Sequence, residues 1–184
     1  MQTPDRVTVH PLITETQIQE KVAELGRRIS GDYAGKEVIV VGILKGSWIF
    51  LADLVRKLTV PVYVDFMTVS SYGASTRTSG VVKTVMDLKC PLDKRHVLVV
   101  EDILDSGLTL SYIFKNLKLR NPASLRLCVL MDKPAGRRAE IEADYVGFVV
   151  PDHFVVGYGA DRAEQFRNLP FVGYVESERD EGTE

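Results

Sequence analysis

The chain is poor in cysteine, with only Cys90 and Cys128, which lie far apart and form no Cys-x-x-Cys motif. This spacing argues against a zinc ribbon, allows at most one disulfide and favours a reducing compartment. Long apolar runs are also missing, since none approaches the ~20 residues that a membrane-spanning helix needs. Residues 1–10 lack the basic and then apolar order of a secretory signal. We therefore expect an unexported, cytoplasmic protein.

The chain has no large excess of charge of either sign, because its formal net charge is -2 over 184 residues. Without a global field that attracts polyanions, any phosphate recognition must be local, and nucleic acid is disfavoured as a partner. A hydrophobic content of 45% is enough for one sizeable core, whereas two domains would each be small. We predict one domain over residues 1–175. Residues 176–184 are charged and lack apolar anchors, which predicts a disordered acidic tail.

Apolar periodicity divides the chain into alternating helices and strands. A helix is predicted from Thr14, where Gln17 can complete a capping box, to about residue 31. The almost unbroken apolar run at residues 38–44 is typical of a strand buried on both faces of a parallel sheet. Further strands are predicted at residues 60–66, 81–86, 96–100, 125–131, 146–150 and 172–175, and further helices from about residue 46, at 108–119 and at 163–166. Strands that alternate with helices predict an α/β fold, a twisted parallel sheet with flanking helices.

Residues 70–80 separate two predicted strands and are small and polar, with glycines near both ends. Loops of this length inside compact domains are often lids over a binding site. We expect a long mobile loop here.

The most informative segment is VLVVEDILDSGLT, residues 97–109. A buried strand is expected to end in Glu101 and Asp102, with residues 101–107 forming a loop before the next helix. Ligands of parallel sheets bind at this end of the strands, and backbone N–H groups with the Ser106 and Thr109 hydroxyls suit a phosphate dianion. Carboxylates accept hydrogen bonds from ribose hydroxyls. The segment therefore suits a ribose 5-phosphate better than a nucleoside triphosphate, whose Walker pattern is absent.

This segment resembles the phosphoribosyl pyrophosphate signature of the type I phosphoribosyltransferases, in which apolar residues precede two acids and a [ST]-G-x-[ST] sequence. Taken alone, Asp-Ser-Gly would be an ordinary turn. The resemblance extends over most of the chain. Within the family, the chain resembles the hypoxanthine-guanine branch most. It implies a small hood subdomain, built from the N- and C-terminal segments over the base pocket. The implied activity is purine salvage: transfer of the 5-phosphoribosyl group to hypoxanthine or guanine, with release of pyrophosphate.

The resemblance also implies a role for each residue that matches a family motif. Asp105 is the expected general base. The segment VVPDHFVVGYGAD, residues 149–161, resembles the base-binding stretch of the family. The expected sites are Glu101, Asp102, Asp105, Ser106, Gly107, Leu108 and Thr109 for the phosphoribosyl group; Lys45, Gly46 and Arg167 for pyrophosphate; Lys133, Phe154 and Val155 for the purine; Ser71 and Tyr72 for the lid; and Glu101, Asp102 and Asp161 for Mg²⁺.

Several of these residues also have ordinary structural interpretations. Lys45 and Lys133 would be surface lysines, Arg167 a solvated helix residue, and Phe154 a core aromatic. Leu108 departs from the family pattern, because some members have lysine there, so its side chain cannot contact a phosphate. In the family, the peptide before the residue matching Lys45 is cis, which a sequence does not reveal. Arg137 and Arg138 receive no assignment, because residues 134–138 are longer than in some members.

Two other classes of protein remain as alternatives. A phospho-receiver domain also has paired acids after a strand, but on its first strand, whereas Glu101 and Asp102 follow several others. Regulators of transcription with a phosphoribosyltransferase-like fold bind the ligand without catalysis. They tend to carry basic faces or extra domains, which this chain lacks. For an enzyme, we expect Mg²⁺ as cofactor, small-molecule substrates, a homodimer or homotetramer, and a choice among hypoxanthine, guanine and xanthine that the sequence leaves open.

Overall fold

The computed structural model describes residues 7–71 and 82–176 of the chain. Its helices are α1 (Glu15–Asp32), α2 (Trp48–Val55) and α3 (Leu108–Lys118), with a short 3-10 helix at Pro134–Gly136. Its strands are β1 (Thr8–Ile13), β2 (Val38–Leu44), β3 (Val62–Ser71), β4 (Val82–Met86), β5 (His96–Leu104), β6 (Ser124–Asp132), β7 (Tyr145–Val149), β8 (Val155–Val156) and β9 (Val172–Glu176).

The larger sheet has six strands in the order β4-β3-β2-β5-β6-β7. Its pairs are parallel except for β3 and β4, which run antiparallel at one edge. The connection from Ser71 to Val82 is too short for the crossover that parallel strands require. The predicted α/β class is confirmed, although a wholly parallel sheet is not.

The two faces of this sheet are covered by different helices. On one face, α1 and α2 pack with the core residues Val38, Val40 and Leu98; on the other, α3 packs with Ile39, Val41 and Val97. This alternation explains why β2 is apolar at every position, since both of its faces are buried. At the start of α1, the predicted capping box between Thr14 and Gln17 is present.

The strand order changes direction between β2 and β5. From β2 the chain passes to β3 on one side, and then continues through β5, β6 and β7 on the other side. A crevice forms beyond the carboxyl ends of the strands at such a point, and ligands of open α/β sheets bind there. The turn after β2 and the end of β5 meet at this crevice, where Gly46 lies against Asp102.

The structure corrects the predicted end of β5. This strand extends to Leu104, so Glu101 and Asp102 lie within it rather than in a loop. The extension follows from pairing with β6, in which Glu101 is opposite Val129 and Leu104 is opposite Asp132. The loop after β5 is therefore shorter than predicted.

Three other boundaries also differ from the prediction. Ser70 and Ser71 belong to β3, where they pair with β4, and not to a loop. The helix predicted at residues 163–166 is a tight turn instead, closed by a bridge between Arg162 and Gln165, with positive φ at Ala163, Glu164 and Phe166. Glu176 was predicted to lie in a disordered tail, but it ends β9 opposite Thr8. Tyr72 and the rest of the predicted loop and tail lie outside the described residues.

A second sheet combines both ends of the chain. It has three strands in the order β1-β9-β8, and its pairs are antiparallel. Both cysteines are free, so no disulfide contributes to the fold. Among the residues that the structure describes, no helix is both long enough and apolar enough to cross a membrane.

Candidate active site

The turn after β2 lies directly against β5 at the crevice. The peptide bond between Leu44 and Lys45 is cis. A Cβ atom on Gly46 would overlap both carboxylate oxygens of Asp102, and one on Gly159 would overlap the backbone carbonyl of Gly46. Only glycine, which has no Cβ, allows these close approaches. The turn that contains Lys45 and Gly46 therefore lies directly against the Asp102 carboxylate.

The two acids of β5 lie in different surroundings, because adjacent side chains of a strand face opposite sides. Glu101 lines a cavity beside α3, whereas Asp102 contacts Gly46. The oxygen Oε2 of Glu101 is buried and has no hydrogen-bond partner in the described part of the chain. Burial, helped by the negative charge of Asp102, holds the pKa of Glu101 well above its ordinary value. Burial also raises the pKa of Asp102 to about 6, although backbone N–H groups and Arg167 oppose the rise.

A cavity of about 150 Å³ opens where β5 turns into α3. Gly107 is the N-cap of α3 and has a φ of 75°, a conformation that favours glycine. In the part of the chain that the structure describes, no side chain caps the helix, so its first N–H groups can bind an anion, and the helix dipole adds positive potential there. The cavity is lined by Glu101, Ile103, Asp105, Ser106, Gly107, Thr109 and Leu110. These backbone and hydroxyl groups can bind a phosphate.

The predicted purine residue Lys133 lies next to the predicted base Asp105. Its Nζ is 2.9 Å from Oδ2 of Asp105 and 3.2 Å from Oδ1 of Asp152. The Lys133 side chain is only 12% exposed, which rules out an ordinary surface lysine. Burial would lower the pKa of its ammonium, but the hydrogen bonds to Asp105 and Asp152 outweigh it, so that the pKa is raised. Lys133 is therefore a fixed cationic donor.

The segment after β7 leads towards Lys133 through Asp152. Phe154 is 56% exposed, so it is not the core aromatic that its apolar neighbours allowed. Its backbone carbonyl accepts a hydrogen bond from the Val175 N–H. Val155 is buried in β8. An exposed aromatic ring and a buried strand backbone can together bind a flat heterocycle.

Arg167 is tied to the turn after β8. Its guanidinium donates to the carbonyl of Gly159 at 2.7 Å and pairs with Oδ1 of Asp161 at 2.7 Å. The Nε atom of Arg167 is buried without a hydrogen-bond partner among the described residues. The carboxylate of Glu164 joins both predicted pyrophosphate cations, at 3.0 Å from Nζ of Lys45 and 3.4 Å from Arg167. The structure thus brings Lys45 and Arg167 to one place.

The predicted Mg²⁺ ligands do not form a compact protein cage. Within residues 7–71 and 82–176, no group of three or more His, Cys, Asp or Glu side chains is suitably arranged to hold a metal ion. Asp161 pairs with Arg167 and accepts from the N–H of Glu164. Mg²⁺, however, is usually held by one or two carboxylates together with substrate phosphates and water. The carboxylate oxygen of Glu101 that has no hydrogen-bond partner among the described residues, and the buried Asp102, fit that mode of binding.

The structure brings together the predicted phosphate, purine and pyrophosphate residues, whereas the predicted lid lies mostly outside the described residues. Ser71 ends β3, and Tyr72 lies outside the described residues.

The residue that sequence reasoning missed is Arg137, which donates from Nε to the carbonyl of Asp105 at 2.9 Å. Nothing in the sequence distinguishes it from its neighbour Arg138. Only the structure shows that the segment after β6 runs beside the end of β5 and so places Arg137 against Asp105.

A family model described as "Phosphoribosyl transferase domain" matches residues 14–163. The hypoxanthine-guanine phosphoribosyltransferase of Bacillus subtilis is 49% identical over 164 residues, covering 89% of this chain and 91% of that protein. The bifunctional protein TilS/HprT of Listeria monocytogenes is 53% identical over 167 residues, which are 91% of this chain but 26% of that relative. The chain thus spans about a quarter of the Listeria proteins that it matches.

Solved structures give the same result. The crystal structure of a hypoxanthine-guanine phosphoribosyltransferase from Bacillus anthracis, with a HEPES molecule in its active site, superposes with a TM-score of 0.87. It is 44% identical, and the match covers 94% of this chain and all of that one. The similarity therefore extends over nearly the whole chain.

Proposed function

The chain belongs to the phosphoribosyl transferase domain family, and from that premise we propose that it transfers the 5-phosphoribosyl group of phosphoribosyl pyrophosphate to hypoxanthine or guanine. The products are IMP or GMP and pyrophosphate, and the role is purine salvage. The observation that carries the proposal is the contact between Lys133 and Asp105 beside the cavity at the start of α3. This contact places a purine site next to a phosphate site, which supports the proposal that a purine ring and a 5-phosphate bind side by side.

The purine is proposed to lie on the ring of Phe154, with the Val155 backbone at its Watson-Crick edge. Lys133 would donate to the 6-oxo group. An ammonium has only donors, so it favours a carbonyl over the amino group of adenine. The ion pairs with Asp105 and Asp152 support this preference, because they hold Lys133 at the site as a donor.

The 5-phosphate is proposed to bind the N–H groups of residues 106–109 and the hydroxyls of Ser106 and Thr109. Pyrophosphate would bind Lys45, the Gly46 backbone and Arg167. For these cations to reach it, Glu164 must release them, because its carboxylate pairs with both. The exposed Glu164 contacts are weak and can be exchanged for a diphosphate of higher charge.

In the reaction, a bond forms between the purine nitrogen and the anomeric carbon of ribose as the bond from that carbon to pyrophosphate breaks. Pyrophosphate leaves with the electron pair. The proton of the purine passes to the Asp105 carboxylate, which acts as general base at N7. Holding the two reactants in line supplies much of the acceleration.

Glu101 and Asp102 are proposed to accept the ribose hydroxyls and, with Asp161, to contribute to Mg²⁺ binding. The metal supplies positive charge that balances the leaving pyrophosphate. Their raised pKa values support this role, because a buried carboxylate without a full set of partners has most to gain from a cation or a hydroxyl donor.

We further propose that Ser71 and Tyr72 form a lid, that the chain up to Glu176, where β9 ends, acts as one catalytic domain with a hood, and that residues 177–184 form a disordered tail. We also propose that the protein is cytoplasmic and forms a homodimer or homotetramer. Its proposed partners are small-molecule substrates.

The test is a steady-state assay of the purified chain with phosphoribosyl pyrophosphate, Mg²⁺ and, in turn, hypoxanthine, guanine, xanthine and adenine. We expect turnover of hypoxanthine or guanine and little of adenine. Binding of phosphoribosyl pyrophosphate without turnover of any base would indicate a non-catalytic regulator instead.

A further inference from the structure

The loop that forms the phosphate cavity is held from behind by the segment after β6. The carbonyl of Leu104 accepts from the N–H of Lys133 at 3.0 Å, and the carbonyl of Ser106 accepts from the backbone N–H groups of Arg138 at 2.9 Å and Ala139 at 3.1 Å. Between them, the carbonyl of Asp105 accepts from Nε of Arg137. The carbonyls of these consecutive residues are therefore all bonded to one supporting segment, residues 133–139.

Arg137 makes most of its bonds with this loop and the surrounding backbone. Besides Asp105, its guanidinium donates to the carbonyl of Leu104 at 3.3 Å and to that of Ile141 at 2.6 Å. Its charge is balanced by an ion pair with Asp132, at the end of β6. The side chain is 20% exposed, and a Cβ on Gly107 would approach its Cδ to 3.2 Å. One planar group thus joins the end of β5, the end of β6 and residue 141.

The direction of these carbonyls matters because a peptide group presents either its N–H or its C=O to a given side. Arg137 binds the carbonyls of Leu104 and Asp105, so the N–H groups on the other side of those two peptide planes, those of Asp105 and Ser106, can face the cavity and attract an anion. A carbonyl turned into the cavity would repel a phosphate dianion. Lysine cannot replace Arg137, since an ammonium lacks the planar fork that reaches three carbonyls and a carboxylate.

We propose that Arg137 is a positioning residue that fixes the phosphate loop in its anion-binding conformation and so determines affinity for the 5-phosphate. The inference rests on the proposed function only in naming that phosphate as part of phosphoribosyl pyrophosphate. Arg137 itself contacts backbone and Asp132, not substrate, so its removal should weaken 5-phosphate binding without weakening recognition of the purine or of pyrophosphate.

The experiment compares Arg137→Met and Arg137→Lys with the control Arg138→Met. The Arg138 side chain is exposed and makes no hydrogen bond or ion pair with the described residues. Ribose 5-phosphate binding is measured by calorimetry, which does not depend on turnover. Inhibition by pyrophosphate, the KM values for phosphoribosyl pyrophosphate and hypoxanthine, and the melting temperature are measured in parallel.

We expect both Arg137 variants to bind ribose 5-phosphate about tenfold or more weakly and to raise the KM for phosphoribosyl pyrophosphate similarly. The KM for hypoxanthine and the inhibition constant of pyrophosphate should stay within about twofold, and Arg138→Met should match the parent chain. Full retention of ribose 5-phosphate affinity in Arg137→Met, rescue by Arg137→Lys, or equal weakening of all ligands would overturn the proposal.

If Arg137→Met does not fold, Asp132→Asn provides the second variant, because it removes the charge that orients the guanidinium. It should weaken ribose 5-phosphate binding in the same selective way, and unchanged binding would overturn the proposal. If the parent chain binds ribose 5-phosphate but does not turn over hypoxanthine, the proposed function fails while the calorimetric comparison still decides the role of Arg137.

Discussion

Nζ of Lys133 lies 2.9 Å from Oδ2 of Asp105, so the proposed purine donor and the proposed general base are in direct contact. The contact crosses two neighbouring parallel strands, because Asp105 follows β5 and Lys133 follows β6. If a purine carbonyl accepts a hydrogen bond from Lys133, the interaction between Lys133 and Asp105 becomes weaker. In the proposed mechanism, binding of a 6-oxopurine therefore frees the Asp105 carboxylate to contact the purine ring.

Replacement of Lys133 tests its role in base recognition. Lys133→Met should lower kcat/KM for hypoxanthine or guanine by about 10- to 100-fold, the range expected for losing a hydrogen bond from a charged donor. Any trace activity on adenine should survive, because adenine has no carbonyl for Lys133. Lys118→Met, at the exposed end of α3, is the matched control. Equal loss for every base would show that Lys133 serves folding or phosphate binding.

The acids are expected to separate by kinetic parameter. Asp105→Asn keeps the shape and removes the base, so kcat should fall by ~10²–10⁴-fold with little change in the KM for phosphoribosyl pyrophosphate. Glu101→Gln should mainly raise that KM, because a ribose contact exists before and during the reaction. Steady-state kinetics with both substrates varied give the two parameters. The opposite pattern would contradict this division between the two acids.

A substitution at Gly136 tests the placement of the Asp105 carboxylate without changing Asp105 itself. A Cβ at residue 136 would overlap Oδ1 of Asp105. Because that carboxylate ends a short side chain that can rotate, Gly136→Ala should displace it from Lys133 rather than unfold the protein. We expect kcat to fall by about tenfold or more and the melting temperature to change little. Gly31→Ala, where a Cβ would meet nothing within 4 Å, is the control and should keep full activity. Normal kcat in Gly136→Ala would mean that the displacement does not occur or does not matter.

Asp102 makes stability depend on pH. Its pKa is raised from 3.8 to about 6 in the folded protein by burial, so the folded state binds a proton more tightly than the unfolded state. The free energy of unfolding should therefore fall as pH rises from about 4 to about 6 and stay lower above that. Asp102→Asn carries no such charge, so near pH 8 it should be the more stable protein by on the order of 3 kcal/mol.

Urea unfolding with a metal chelator present measures this difference. The advantage of Asp102→Asn should disappear below about pH 4, where the carboxyl is protonated in both states. An advantage that is the same at every pH would mean that Asp102 does not titrate as described.

Local sequence patterns predicted those parts of the fold that depend on neighbouring residues. The apolar run of β2 has the predicted bounds, because burial on both faces requires an apolar residue at each position. Glu101 within β5 was not predicted, since it is held there by pairing with Val129, far along the chain. The turn at residues 163–166 has positive φ at Glu164 and other residues that are not glycine, for which the sequence carries no signal.

The same distinction applies to the site. Asp105, Ser106 and Gly107 form a contiguous motif, and the sequence located it. Arg137 contributes through carbonyls of other segments, and only its position in the fold distinguishes it from Arg138. Interactions with backbone groups leave no pattern of side chains to detect.

The most direct measurement of the central claim is a competition assay. The purified chain is incubated with Mg²⁺, phosphoribosyl pyrophosphate and equal concentrations of hypoxanthine and adenine, and nucleotides and pyrophosphate are quantified by chromatography. The account predicts IMP and pyrophosphate in equal amounts with almost no AMP, since Lys133 favours the carbonyl. AMP as the main product, or pyrophosphate released without any nucleotide, would contradict it.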